Sequence, residues 1–219
     1  LDSFRQKVEV SMESICLDIY RENREKIKIK KEAVAVRNLV AIFNATLKLS
    51  NAKGFQAMSL RDLSAESQLS MGALYSYFDS KDDLLDIIQE QGRRIATVVL
   101  NEQIDPISDP WDRLVTFIRA HLYLTEVIQP WFYFSYMETK NLTREQQKRA
   151  IESELYTEKV FEEILLNGED SGRFAVVNRL LTASVIKAML QDWYLKRWKY
   201  TRRNISVEEY ADFLVTLVG

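Results

Sequence analysis

The stretch SLRDLSAESQLSMGALYSYFDSKDDLL, Ser59 to Leu85, decides the fold. Ser59 is placed to cap a short helix that carries Leu60 and Leu63, because a serine hydroxyl satisfies backbone N–H groups that the first turn leaves free. Ser70 is placed to cap a second helix with Leu74 and Phe78 on its inner side. Ser80 opens a third, with Asp82 and Asp83 in its first turn, where the helix dipole favours acids. Leu63, Leu69, Leu74 and Phe78 supply apolar residues that interlock across the turn between the first two helices. Ser70, Gly72 and Ala73 keep the outer face of the second helix low.

Working outward, Val36, Leu39, Val40, Phe43 and Leu47 recur at helical spacing. That helix ends near Gly54, the residue type that takes positive φ without a Cβ clash. Before it, Phe4, Val8, Met12, Ile15 and Ile19 form one stripe, so residues 1–30 read as an extra helical arm, the alternative being a partly disordered tail. EKIKIKKE, Glu25 to Glu32, alternates like a strand but is short. After Leu85 the apolar stripe continues through Ile88, Ile95 and Val99. IDPISDP, Ile104 to Pro110, marks a connection, and Asp109–Pro110 is a cap followed by proline at the first helical position. Trp111 to Ile128 is apolar on two sides, as in a central helix, and Pro130 is expected to end it. WFYFSYM follows, Trp131 to Met137. Thr143 with Gln146, and Ser206 with Glu209, match capping boxes. They open a long helix stopping at Gly168 and a final helix; a further helix runs from about Ala175 to Arg197.

Composition agrees with long helices and few turns: Gly (6) and Pro (3) are scarce in 219 residues. The net charge is only -2, but nine bases and two acids lie between Arg24 and Arg61. That window is +7 and the remainder is -9, a basic head on an acidic body, unless the run is simply a solvated face. A single Cys16 excludes an internal disulfide and fits a reducing compartment. A single His121 makes a His/Cys metal site untenable, and no metal or other cofactor is implied. The chain shows neither a signal-peptide apolar region nor an apolar run near the length that spans a bilayer, so a cytoplasmic location is expected.

A helix-turn-helix lays its second helix in the major groove and needs its ends pinned to phosphates. Tyr75, Tyr77 and Lys81 can donate to phosphates, and packing beneath the motif is the alternative for either tyrosine. Gly54–Phe55, then RDLS at Arg61–Ser64, then MGALYSYFDSKDDLL at Met71–Leu85, resemble the TetR family of bacterial transcription regulators over about Val36 to Leu85. The resemblance implies an all-α chain with an N-terminal helix-turn-helix DNA-binding domain and a larger helical ligand-binding and dimerisation domain. The expected divisions are an arm at 1–30, the DNA-binding domain at 31–85, and an effector and dimerisation domain at 86–219. It implies that Ser70, Met71, Gly72, Ala73 and Ser76 face base edges, that Arg61 reaches a base or phosphate, and that Tyr75, Tyr77 and Lys81 touch phosphates. The family's turn usually holds a glycine. Gln68 stands in that place, and a left-handed conformation there costs about 1 kcal/mol.

The expected partners are duplex operator DNA, a second copy of the chain through the two C-terminal helices, and a small-molecule effector, with no membrane. Aromatic density suggests a hydrophobic or aromatic effector such as an acyl-CoA. Phe117, His121, Tyr123, Tyr133, Phe134, Met137, Met189 and Trp193 are the candidate contacts, against the alternative of an ordinary helical core. The run from Trp193 to Arg203 mixes aromatics with bases. It suits either an anionic ligand group or a cover for the end of the dimer helix. The function expected is a ligand-responsive repressor released from DNA by its effector. The competing reading is a helical adaptor or enzyme that keeps the fold without DNA binding. Against an enzyme, the sequence has no phosphate-cradling glycine loop and no metal-ligand spacing.

Overall fold

The computed structural model describes residues 1–8 and 11–219. Among the described residues, twelve α-helices and one short 3-10 turn account for the regular structure, and no strand occurs. The chain forms two compact units. The first, the helix-turn-helix unit, comprises Val8–Ile95 and Pro130–Thr143; the second, the body, comprises Leu1–Lys7, Ala96–Gln129 and Arg144–Gly219. This division differs from boundaries at 30 and 85. The first residues go with the body, and the WFYFSYM segment goes with the helix-turn-helix unit.

The predicted N-terminal stripe is split between two helices. Helix α1 is Asp2–Val8, and Ser11 caps a new helix, α2 (Met12–Glu22), through a reciprocal box with Ser14. Glu9 and Val10 lie outside the described residues. In the helix-turn-helix unit, α2 buries Ile15, Cys16, Ile19 and Tyr20 and packs on α3 (Glu32–Lys53). Burial pushes the Cys16 thiol up to about 12, so it acts as a small apolar side chain rather than a thiolate. Helix α3 is longer and more apolar than the sequence reading allowed: an 18-residue window reaches a mean hydropathy of 1.2. Its Ala35, Leu39, Ile42, Phe43 and Leu47 are buried, and it packs on α2 and on α4 (Leu60–Ser67), so it is the core helix of this unit. Gly54 ends it at φ 84. Helices α5 (Met71–Leu74) and α6 (Lys81–Ile104) follow. The second helix of the motif is therefore a single turn, with Tyr75 as its C-cap, not a helix extending to Phe78.

In the body, α7 (Pro110–Val127) is capped by Asp109, whose carboxylate accepts from the Asp112 N–H at 2.9 Å. It is central as expected: Leu114, Phe117, Ile118, Leu122 and Leu124 are buried, and it packs on α9 (Arg144–Asp170), α10 (Arg179–Leu195) and α12 (Val207–Val218). Pro130 does not end it. Ile128 is the C-cap, and Pro130 lies in the first turn of α8 (Gln129–Glu138), where a missing N–H leaves no bond unmade. Helix α10 starts at Arg179 because Asn178 caps it through a 3.0 Å bond from the Leu181 N–H. It breaks at Lys196 before a short α11 (Arg197–Arg202). Ser206 and Glu209 form the predicted capping box on α12.

Candidate nucleic-acid interface

The motif is held by local bonds that the sequence specifies. Ser59 and Asp62 cap α4 reciprocally, at 3.1 Å and 2.8 Å. Hydrogen bonds from Lys53 and Ser59 hold the Asp62 carboxyl well below the usual carboxylate range. Gln68 closes the helix at φ 58 and ψ 27, the left-handed conformation expected of that position. Ser64 Oγ donates to the Leu69 carbonyl at 2.6 Å and ties the turn to α4. Ser70 Oγ accepts from the Ala73 N–H at 3.2 Å and starts α5. Leu63 and Leu74 are fully buried and Phe78 nearly so, while Leu69 is half-buried.

The residues expected on DNA separate into two groups. Arg61, Ser70, Gly72 and Tyr75 are exposed, and Met71, Ala73 and Ser76 are half-buried. Space is open where a Gly72 Cβ would point, so this face is low and free to approach a groove. Tyr75 is 42% exposed. Tyr77 and Lys81 sit otherwise than expected. Tyr77 is 5% exposed with its hydroxyl enclosed beside Asn38, and burial raises its phenol. Packing beneath the motif is therefore its position here. Lys81 Nζ donates to the carbonyls of Phe55, Gln56 and Met58 at 2.8, 3.0 and 2.9 Å and lies 4.8 Å from the Phe55 ring centre. Its ammonium clamps the loop after α3 instead of pointing outward.

Glu138 completes that clamp. It is 4% exposed, and its Oε1 accepts from the Phe55 N–H at 3.0 Å while Oε2 accepts from Asn141 at 2.6 Å. Phe134 stands edge-on to Phe55, and Trp131 Nε1 donates to the Ile88 carbonyl at 3.0 Å. A Cβ on Gly92 would lie 1.8 Å from the Trp131 ring, so the glycine makes room for the indole. Sequence reasoning missed Asn38 and Glu138, for which no local pattern existed.

The eight candidate effector contacts divide between the units. Tyr133, Phe134 and Met137 belong to the helix-turn-helix unit, Phe134 buried on Phe55 and Met137 exposed. Phe117, His121, Tyr123, Met189 and Trp193 belong to the body. Phe117 packs edge-on against Phe161, and Tyr123 against Phe4. Met189 is half-buried, and its carbonyl accepts from Tyr210 at 2.8 Å. Trp193 is fully buried, stacked on Tyr200, with its indole N–H on Glu126 at 2.7 Å. His121 is 2% exposed, and Lys187 Nζ lies 3.3 Å from its Nε2. Burial, then the adjacent Lys187, drives the imidazole well below its ordinary value, so it is neutral. Lys187 also faces Glu154 at 3.7 Å.

The aromatic and basic run after Trp193 is largely neutralised from within. Asp192 accepts from Lys196, Lys199 and Tyr200, and Arg197 pairs with Glu126 at 2.8 Å while covering Trp193. That arrangement favours the covering role over anion binding. A cavity of about 640 Å³ opens elsewhere in the body, lined in part by Trp111, Leu114, Leu165, Phe174, Ile186 and Arg173. None of the eight candidates lines it.

Known proteins share this organisation. Residues 42–88 match the family model for bacterial regulatory proteins of the tetR family, and residues 108–218 match a tetracyclin repressor-like C-terminal domain. The HTH-type transcriptional regulator HbdR of Aromatoleum sp. (strain CIB) is 24% identical over 171 residues, 78% of this chain and 74% of HbdR. The TetR family transcriptional regulator PfmR from Thermus thermophilus superposes with a TM-score of 0.73 at 27% identity, covering 81% of this chain and 96% of PfmR. AibR, solved in complex with isovaleryl coenzyme A and operator DNA, gives 0.72 at 21% identity, covering 83% of this chain and 97% of AibR. With a tetR-family match over the helix-turn-helix and a second match over half of the sequence, this chain belongs to the TetR family of bacterial transcriptional regulators and carries its DNA-binding helix-turn-helix.

Proposed function

We propose that this regulator is a cytoplasmic repressor, without catalytic activity, that binds duplex operator DNA as a homodimer and lets go when a small hydrophobic or aromatic effector binds the body. Arg61, Ser70, Met71, Gly72, Ala73 and Ser76 face the bases, and Tyr75 holds a phosphate. Tyr77 and Lys81, although expected at phosphates, act by shaping the motif from beneath.

The observation that carries the dimer is a set of apolar side chains facing solvent on the two helices expected to pair. Leu180, Leu181 and Val185 on α10 and Phe213 and Leu217 on α12 are 57–61% exposed. Apolar surface repeated on two helices calls for a covering partner, and a second copy of the same helices gives closed two-fold symmetry. Two half-sites then multiply specificity that one short motif lacks. An acyl-CoA effector is in keeping with AibR, which was solved with isovaleryl coenzyme A. The effector acts only through a difference in affinity between the DNA-competent state and another state.

The test uses a duplex enriched from a random-sequence pool by the wild-type protein. Wild type is expected to bind it with two protomers per site, and Leu181→Glu with Phe213→Glu to sediment as a monomer and bind far more weakly. Acyl-CoA thioesters and aromatic acids are then titrated into the complex. A wild-type complex with one protomer per duplex removes the dimer, and unchanged duplex affinity across both ligand classes removes the effector.

A further inference from the structure

The segment between α2 and α3 is strongly basic, with five bases and one acid from Arg24 to Lys31, and the structure holds it against the motif. The Lys28 N–H donates to the Ser76 carbonyl at 2.9 Å, and Lys28 Nζ donates to the Tyr75 carbonyl at 3.2 Å. These bonds use acceptors just past the end of α5, next to the exposed Tyr75. The strap is fixed from the other side too. Ile27 is 1% exposed, and the buried Tyr20 hydroxyl donates to the Lys30 carbonyl at 2.9 Å. Lys30 Nζ closes the segment on itself through the Arg24 and Ile27 carbonyls, at 3.1 and 3.0 Å. The alternation in KIKIK, Lys26 to Lys30, thus has a structural meaning. Ile27 is buried and Ile29 half-buried, while Lys26, Lys28 and Lys30 are exposed.

Several cations elsewhere in the same unit face a carboxylate. Arg21 faces Glu32, Arg94 faces Asp18 and Glu22, Lys48 faces Glu66, and Lys53 faces Asp62. Arg24, Lys26 and Lys31 are exposed and have no ion-pair partner among the described residues. A solvated surface run has no reason to be bonded to the C-terminal end of a groove-reading turn.

We propose that Arg24–Lys31 is a second phosphate-binding element, held beside Tyr75 so that each protomer grips the DNA backbone flanking the groove that Ser70–Ser76 reads. Its ligand is the phosphate backbone of duplex DNA, and the proposal rests on the DNA-binding role of the motif. Because the contact is to phosphates, it adds affinity and salt dependence with little sequence preference.

The experiment measures binding to a synthetic duplex of arbitrary sequence, three helical turns long, across a salt series. Arg24→Gln, Lys26→Gln and Lys31→Gln are combined, since the side chains of these three make no bond that holds the strap. Loss of three phosphate contacts makes the log–log salt slope shallower by about 2.7 for each bound protomer, at 0.9 per contact. A control combining Lys140→Gln, Lys148→Gln and Lys159→Gln removes the same charge from elsewhere and is expected to keep the wild-type slope. The proposal is overturned if the strap variant keeps the wild-type slope while Arg61→Ala weakens binding, because the motif then acts without the strap. It is equally overturned if the control lowers the slope as much as the strap variant does. If wild type shows no salt-dependent duplex binding at all, the DNA-binding reading itself fails, together with the strap.

Discussion

Replacing Lys81 with methionine separates two roles that one lysine can play at this place in the motif. Methionine keeps the length and apolar stem and removes the ammonium. In the free protein the ammonium donates to three carbonyls, and two of these, on Phe55 and Met58, are part-buried. Bonds to a charged group contribute about 1.5–3 kcal/mol when dry. Water reaches this half-buried site and replaces part of that. About 1 kcal/mol for each part-buried carbonyl gives a loss of roughly 2 kcal/mol. For a unit of this size the midpoint of thermal unfolding should fall by on the order of 10 °C. Amide exchange at Met58 and at the Phe55 N–H, which bonds to Glu138, should rise with it. The decisive measurement is the salt slope of duplex binding. A lysine engaged with carbonyls releases no counterion from DNA, so Lys81→Met should weaken binding with the slope unchanged. A slope shallower by about 0.9 per protomer, with stability unaltered, would refute the clamp and place the ammonium on a phosphate.

Four further outcomes follow from single contacts. Gln68→Gly should stabilise the helix-turn-helix unit by roughly 0.5 kcal/mol in urea unfolding, because relief of a left-handed cost of about 1–2 kcal/mol is partly offset by the freer unfolded glycine chain; a loss of stability would show that the Gln68 side chain holds the turn. Gly92→Ala, which ordinarily gains about 1 kcal/mol inside a helix, should instead destabilise, because its Cβ would meet the Trp131 ring at 1.8 Å; paired with Trp131→Ala, the alanine at 92 should be tolerated. Tyr75→Phe should lower duplex affinity about tenfold or more, one hydrogen bond to a charged phosphate being worth about 1.5–3 kcal/mol, with no change in salt slope; unchanged affinity would remove the phosphate role of Tyr75. The depressed imidazole of His121 means that below the ordinary value of 6.5 the unfolded chain takes up a proton that the folded body refuses. Stability of the body should therefore fall with acidification below that pH, by about 1.4 kcal/mol per unit down to the folded-state value, and His121→Gln should remove that part of the slope.

What was legible in the sequence is what short-range chemistry sets. Ser59, Ser70, Asp109 and Ser206 each cap the helix they announce, because a cap is decided within four residues. Gln68 adopts the left-handed conformation that its place implied. The two-sided apolar pattern of α7 was enough to make it central. Proline was less informative. Pro130 looks like a terminator, but the same residue suits the first turn of a new helix, and only the Ile128 C-cap tells the two apart. The Tyr77 side chain shows the limit of motif reasoning: a tyrosine one residue from the exposed face suits a phosphate contact by type, yet the turn after Leu74 rotates it under the motif beside Asn38.

The helix-turn-helix unit is discontinuous in sequence, and that is why its least legible part is also the one nearest its chemistry. Phe55 follows the glycine that ends α3, so its N–H and C=O lie outside any helix and need partners. Its N–H is taken by Glu138, which is eighty-three residues away, and its C=O by Lys81. A carboxylate that is 4% exposed is costly unless it is bonded and near a cation. Here it has two donors, and Lys81 lies close enough for their charges to interact. The loop that joins α3 to α4 is thus gripped by opposite charges from two helices, one of them α8. An aromatic run such as WFYFSYM reads as ligand-pocket material because pockets and cores use the same side chains. What distinguishes them is the partner, and the partner of Phe134 is Phe55. The loop that leads into the DNA-binding motif is therefore held by a helix that the sequence assigns to the effector domain, and a change in α8 reaches it through the Glu138 bond to the Phe55 N–H and the Phe134 ring against Phe55.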